Sequence, residues 1–187
     1  MKSTQLAHQL VSDRLEGGEV VVDATAGNGH DTLFLAEQVG ATGVVYSFDV
    51  QEEAIRMTRS RLEEAQISDR VIMCETGHEN LDEVIRAPHL GNISAIMFNL
   101  GYLPGGDHSI TTLKGTTLTA LRKALECLRD GGFLTALCYP GHDEGLEESV
   151  EVLTFLESLD QAHFLTKNYR DASIPDNVPF LVSVQKS

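Results

Sequence analysis

Short apolar runs alternate with segments of helical period along the whole chain. Leu6, Leu10 and Val11 share one face, so the spacing predicts a helix over Thr4 to Leu15, ended by Gly17 and Gly18. The valine run from Glu19 to Ala24 reads as a strand, Asp31 to Val39 as a helix, Gly43 to Asp49 as a strand, Glu52 to Gln66 as a helix and Val71 to Glu75 as a third strand. A short helix at Leu81 to Arg86 precedes a strongly apolar run, Ile93 to Phe98, which predicts a strand covered on both faces. Leu118, Leu121, Leu125 and Leu128 fall at helical spacing and predict a helix over Thr116 to Arg129, closed by Gly131 and Gly132. Phe133 to Cys138 reads as a fifth strand and Glu144 to Ser158 as a helix. Two further strand-like segments, Ala162 to Tyr169 and Phe180 to Gln185, have no helix between them and are expected to pair antiparallel.

This alternation predicts an α/β fold, a three-layer sandwich around a seven-stranded, mostly parallel sheet, with six strands parallel and one near the C-terminus reversed. That is the layout of the class I methyltransferase (Rossmann-like) fold, although a reversed edge strand also occurs in other doubly wound sheets. At 187 residues, with no linker or internal repeat, a single domain is expected over residues 1–187.

Composition narrows the function. Lys and Arg total 14 against 28 for Asp and Glu, a formal charge of −14, so general attraction to a polyanion is not the source of any nucleic-acid affinity. An RNA partner must be held by a local patch, for which Arg56, Arg59, Arg61, Lys114, Arg122, Lys123, Lys167 and Arg170 are the candidates. Neither a membrane span nor a secretory signal is expected, which predicts a soluble, cytoplasmic protein. Cys74, Cys127 and Cys138 form no CxxC pair and the histidines share no ligand spacing, so no metal site is expected and the thiols read as buried and reduced.

The first strand runs into Asp23-Ala-Thr-Ala-Gly27-Asn28-Gly29-His-Asp31, an acid followed by a glycine turn into a helix. Glycines at such a turn let a ligand approach the backbone. The pattern is only part of GxGxxG, because Thr32 holds the third glycine position. A second acid, Asp49, ends the next strand twenty residues beyond Gly29, where a carboxylate can accept from both ribose hydroxyls. A dinucleotide would bring its pyrophosphate against Asp31 at the helix start, whereas a sulfonium cofactor has no phosphate to repel. S-adenosyl-L-methionine is therefore preferred over NAD, with Asp23 suited to its cationic amino-acid end, and Asp49 and Gln51 to its ribose. Gly77 and His78, at the exit of the third strand, lie where the adenine is expected. A surface histidine capping the next helix is the competing reading of His78.

The fourth strand ends in Phe98-Asn99-Leu100-Gly101-Tyr102. The spacing resembles the Asn/Asp-Pro-Pro-Tyr/Phe motif of amino-group methyltransferases, with Leu100-Gly101 in place of the prolines, and predicts that Asn99 accepts hydrogens from a target amine while Tyr102 stacks on its base. Such a transfer needs a neutral amine, in-line approach and exclusion of water rather than a nucleophilic side chain. Asp107 and His108 are candidate proton acceptors in the following glycine-rich loop. Tyr139-Pro140-Gly141-His142 is expected to complete the pocket.

Taken together, these motifs are similar to those of a small bacterial family long labelled rRNA methylase, the YtqB family, associated with tRNA wobble-uridine modification (MnmM). The resemblance spans nearly the whole chain. It implies methyl transfer from S-adenosyl-L-methionine to 5-aminomethyluridine at position 34 of the tRNA anticodon loop, cofactor contacts from Asn28, Asp49, Gln51, Gly77 and His78, and a homodimer. Methylation of rRNA, methylation of a small amine and a cofactor-binding regulator remain as alternatives, because fold alone does not establish activity.

Overall fold

A computed structural model describes residues 2–101, 112–141, 143–170, 175 and 177–187. Seven strands, β1 (Val20–Asp23), β2 (Val44–Asp49), β3 (Val71–Glu75), β4 (Ile93–Leu100), β5 (Leu128–Cys138), β6 (Phe164–Asn168) and β7 (Phe180–Lys186), form one sheet in the order β3-β2-β1-β4-β5-β7-β6. The first five pair in parallel, and β7 runs antiparallel to both β5 and β6. The expected reversed strand is therefore present, set between β5 and β6. This is the class I methyltransferase layout.

Among the described residues, six α-helices cover the two faces: α1 (Ser3–Ser12), α2 (His30–Val39), α3 (Glu52–Glu64), α4 (Leu81–Val84), α5 (Lys114–Cys127) and α6 (Asp143–Glu157). Pleating sends alternate strand residues to opposite faces. Val21, Val45 and Met97 pack with Ala7, Leu35 and Leu62 of α1, α2 and α3. Val22, Phe48, Ile96 and Phe98 pack with Leu81, Leu121 and Val152 of α4, α5 and α6. Among the described residues, no helix is long and apolar enough to cross a membrane.

One boundary differs from the pattern-based expectation. α5 ends at Cys127, and Leu128, which continues the leucine stripe, already pairs with Ile93 as the start of β5. The next pairing is Ala95 with Phe133, so the residues between Leu128 and Phe133 bulge out of register. Gly131 makes that bulge possible with φ +74°, and a side chain at Gly132 would stand 3.0 Å from the Ile93 carbonyl. The two glycines therefore shape a strand rather than close a helix.

Candidate active site

A cavity of about 910 Å³ opens at the carboxyl ends of β1, β2 and β4, the switch point at which doubly wound sheets bind ligands. Gly27, Asn28, Asp49, Gln51, Gly77, His78 and Asn99, all singled out from the sequence, line it together. Tyr139 and Gly141 line it as well, whereas Tyr102, Asp107, His108 and His142 lie outside the described residues.

Asp49 organises the glycine loop. Its Oδ2 accepts the Gly27 N–H at 2.9 Å and its Oδ1 the Gln51 N–H at 3.0 Å, while the Thr58 hydroxyl of α3 donates to the Gly27 carbonyl at 3.3 Å. Gly27 holds φ +52°, a conformation that favours glycine. Each Asp49 oxygen keeps a further lone pair, so the carboxylate can accept two ribose hydroxyls without releasing the loop.

Two residues expected at the cofactor occupy other positions. Asp23 is fully buried beneath the loop and is not part of the lining; it accepts the Thr25 N–H at 3.1 Å and the Thr32 hydroxyl at 2.5 Å. Burial, reinforced by the Asp31 and then the Asp49 carboxylates, pushes its pKa from 3.8 up to about 7, against the pull of these two bonds. Gly29 is also absent from the lining. A Cβ there would stand 2.8 Å from the Thr58 backbone, and φ is +74°, so this glycine serves the contact between α2 and α3.

His78 is buried, at 7% exposure, which excludes the surface-loop reading. Its Nδ1 lies 3.1 Å from the Ala24 carbonyl, which can only accept, so Nδ1 carries the proton and Nε2 faces the Thr117 hydroxyl at 3.5 Å. Burial lowers its pKa, partly offset by the Ala24 bond. Behind it, buried Glu148 of α6 accepts the Thr117 hydroxyl at 2.6 Å and the Thr112 hydroxyl at 2.7 Å. Sequence reading missed this carboxylate, which sits in an acidic helix like its exposed neighbours.

At the end of β4, the Asn99 N–H donates to the Thr25 hydroxyl at 2.7 Å. The Asn99 side-chain Nδ2 donates to Asp31 Oδ2, and the other Asp31 oxygen lies 2.6 Å from His8 Nε2. Asn99 Oδ1 is buried and finds no hydrogen-bond partner among the described residues. An unsatisfied buried acceptor in a cavity wall costs about 1–3 kcal/mol unless a ligand supplies the hydrogen. The site thus combines a glycine loop, a strand-end carboxylate and an amide carbonyl without a hydrogen-bond partner among the described residues, groups that suit a nucleoside and a hydrogen-bond donor.

The basic residues are dispersed. Arg56 pairs with Glu53, Lys114 with Glu147 and Lys123 with Asp82. Arg61 donates to the Asn28 carbonyl at 2.8 Å, behind the cavity wall. Arg122, Lys167 and Arg170 lie over the rings of Phe155, Tyr169 and Phe180. Cys74, Cys127 and Cys138 are free and buried; burial pushes the first two thiols up to about 11 and raises the third as well, which argues against a thiolate nucleophile.

The family model described as "Putative rRNA methylase" matches residues 45–185. A chloroplastic tRNA (mnm(5)s(2)U34)-methyltransferase of Arabidopsis thaliana is 39% identical over 162 residues, 82% of this chain and 58% of that protein, so the chain spans little more than half of that relative's length. Two crystal structures are similar over the whole chain. One, described as a "putative rRNA-methylase" from Clostridium thermocellum, has a TM-score of 0.95 at 42% identity, covering 100% of this chain and 98% of the other. The second is SMU.1697c of Streptococcus mutans, described as a "putative methyltransferase" in complex with SAH, with a TM-score of 0.88 at 38% identity, covering 100% and 99%.

Proposed function

The chain belongs to this rRNA methylase family, and from that membership we propose that it is an S-adenosyl-L-methionine-dependent RNA methyltransferase that N-methylates 5-aminomethyluridine at the tRNA wobble position. The observation that carries the reading is the Asn99 Oδ1, a buried acceptor without a partner among the described residues, on a residue that lines the same cavity as Asp49 and the Gly27 loop. When bound, S-adenosyl-L-methionine supplies an electrophilic methyl group that an amine lone pair can take without covalent catalysis by the protein.

The residues present fit that cofactor. Asp49 retains lone pairs for a ribose, Gln51 borders the same edge, and Asn28, Gly77 and His78 lie along the lining. Asn99 accepts one hydrogen of the target amine, which orients the nitrogen lone pair towards the methyl group. Tyr102, three residues further on, is assigned to stacking on the uracil ring. The name of the Arabidopsis relative supports a wobble uridine as substrate. An anticodon loop is single-stranded and can be read by stacking and base-edge contacts, so a local surface suffices despite the overall charge of −14.

Methylation of rRNA is the second reading, favoured by the description of the family. The two separate by mass spectrometry of nucleosides after incubating the protein and S-adenosyl-L-methionine with tRNA carrying 5-aminomethyluridine. A gain of about 14 Da, one CH₂, confined to that nucleoside is expected; no gain there, with a gain in rRNA, would replace the wobble reading.

A further inference from the structure

We propose that Asp31 is a positioning residue whose side chain sets which face of the Asn99 amide is offered to substrate, with His8 as its anchor. The inference rests on the reading of Asn99 as the amine acceptor and adds two residues to it. An Asn amide can be turned over by rotation about its last bond, exchanging oxygen and nitrogen, and only the oxygen is useful to an amine donor. A carboxylate can only accept, so contact with Asp31 Oδ2 forces the Asn99 Nδ2 to face it and turns Oδ1 away. The result is the buried Oδ1 without a partner among the described residues.

The other half of the device lies on α1 and α2. His8 Nε2 is 2.6 Å from Asp31 Oδ1, so Nε2 carries the hydrogen in this bond. The His8 ring is stacked on Phe34, centroids 4.0 Å apart and planes 1° from parallel, which fixes its direction. Asp31 is 5% exposed and lines the cavity, so its two oxygens are divided between a fixed donor and the Asn99 amide. The motif reading of the fourth strand does not contain this constraint: a family that admits Asn or Asp at position 99 can use Asp in this chain only if position 31 changes with it, because two carboxylates would otherwise meet.

This predicts a reciprocal exchange. In Asp31→Asn, His8 still donates to the oxygen at position 31, leaving its new NH₂ group to face Asn99. Asn99 must then turn over to accept it, presenting Nδ2 where Oδ1 had been. In Asn99→Asp, two carboxylates confront each other. In the double variant Asp31→Asn/Asn99→Asp the amide at position 31 donates to the carboxylate at position 99, whose second oxygen again accepts from the substrate.

The test is methyl transfer to tRNA bearing 5-aminomethyluridine by the wild type, both single variants and the double variant, alongside calorimetric binding of S-adenosylhomocysteine and thermal melting. Each single variant is expected to lose turnover by about 10- to 100-fold, the range for one hydrogen bond to a buried group, with S-adenosylhomocysteine affinity held within about threefold. The double variant is expected to recover most of that loss. Wild-type turnover in Asp31→Asn, or a double variant no better than either single one, would overturn the proposal. If the wild type itself does not methylate this tRNA, the functional reading fails, and melting judges the pair separately. Asn99→Asp is then expected to lower Tm and the second substitution to restore it; absence of restoration overturns the pairing.

Discussion

The Gly27 amide donates to the Asp49 carboxylate at 2.9 Å and, beside the Ala26 N–H to Phe48 carbonyl bond at 2.8 Å, ties the turn after β1 to the end of β2. The carboxylate expected to hold the cofactor's ribose thus also holds the loop on which the cofactor lies. Asp49→Ala is expected to weaken S-adenosylhomocysteine binding by about 10- to 100-fold, the range for hydrogen bonds to a charged group, and Asp49→Asn by less because one acceptor remains. Calorimetry reads both, and wild-type affinity in Asp49→Ala would remove the ribose assignment.

Asn99→Ala removes the orphaned acceptor together with the Nδ2 bond to Asp31. Turnover is expected to fall by about 10- to 100-fold with S-adenosylhomocysteine binding nearly unchanged, since the interaction is made to the amine. Tyr102→Ala, tested in the same assay, should lose turnover too. Unchanged rates in both would mean that the amine is presented by other groups.

Asp23 supplies a pH signature. Its folded pKa of about 7 lies above the ordinary 3.8, so between these values the folded chain holds a proton that the unfolded chain has released. Its contribution to stability is fully present below pH 3.8 and is lost as pH rises through 7. Asp23→Asn, which stays neutral, should gain on the wild type across that window, levelling off near pH 8 at no more than about 4 kcal/mol. Melting curves at pH 4, 6 and 8 check the trend; a gap that narrows towards pH 8 would contradict the buried-carboxyl account.

Gly29→Ala should be disproportionately costly for a loop substitution. The added carbon meets the Thr58 Cα at 2.8 Å and the backbone is held at φ +74°. A loss of about 2–3 kcal/mol, or roughly 5–10 °C in Tm, is expected. Adding Thr58→Ala should not rescue it, because the Thr58 Cα, as close as the hydroxyl it removes, remains. Full rescue would show that the side chain sets the spacing.

Sheet class, the reversed strand and the residues around the cavity were legible in the sequence because each depends on local pattern: valine runs, glycine turns and acids at strand ends. Asp31 shows where that kind of reading stops. Its charge was visible, but its partners are 23 residues before it and 68 after it, a separation no periodicity encodes. Leu128 failed for the opposite reason: the local leucine stripe was persuasive, and pairing with Ile93 across the sheet overrode it. His78 was undecided because its neighbours in sequence are polar, whereas its neighbours in space are Phe98, Ala24 and Thr117.

The placement of β7 between β5 and β6 also constrains the order of assembly. During synthesis β6 emerges before β7, yet among the described residues its one neighbour in the sheet is β7. Until residues 180–186 leave the ribosome, β5 keeps a raw edge of unpaired amides and carbonyls, and β6 has nothing to join. The last strand made therefore covers the β5 edge and gives β6 its place in the sheet.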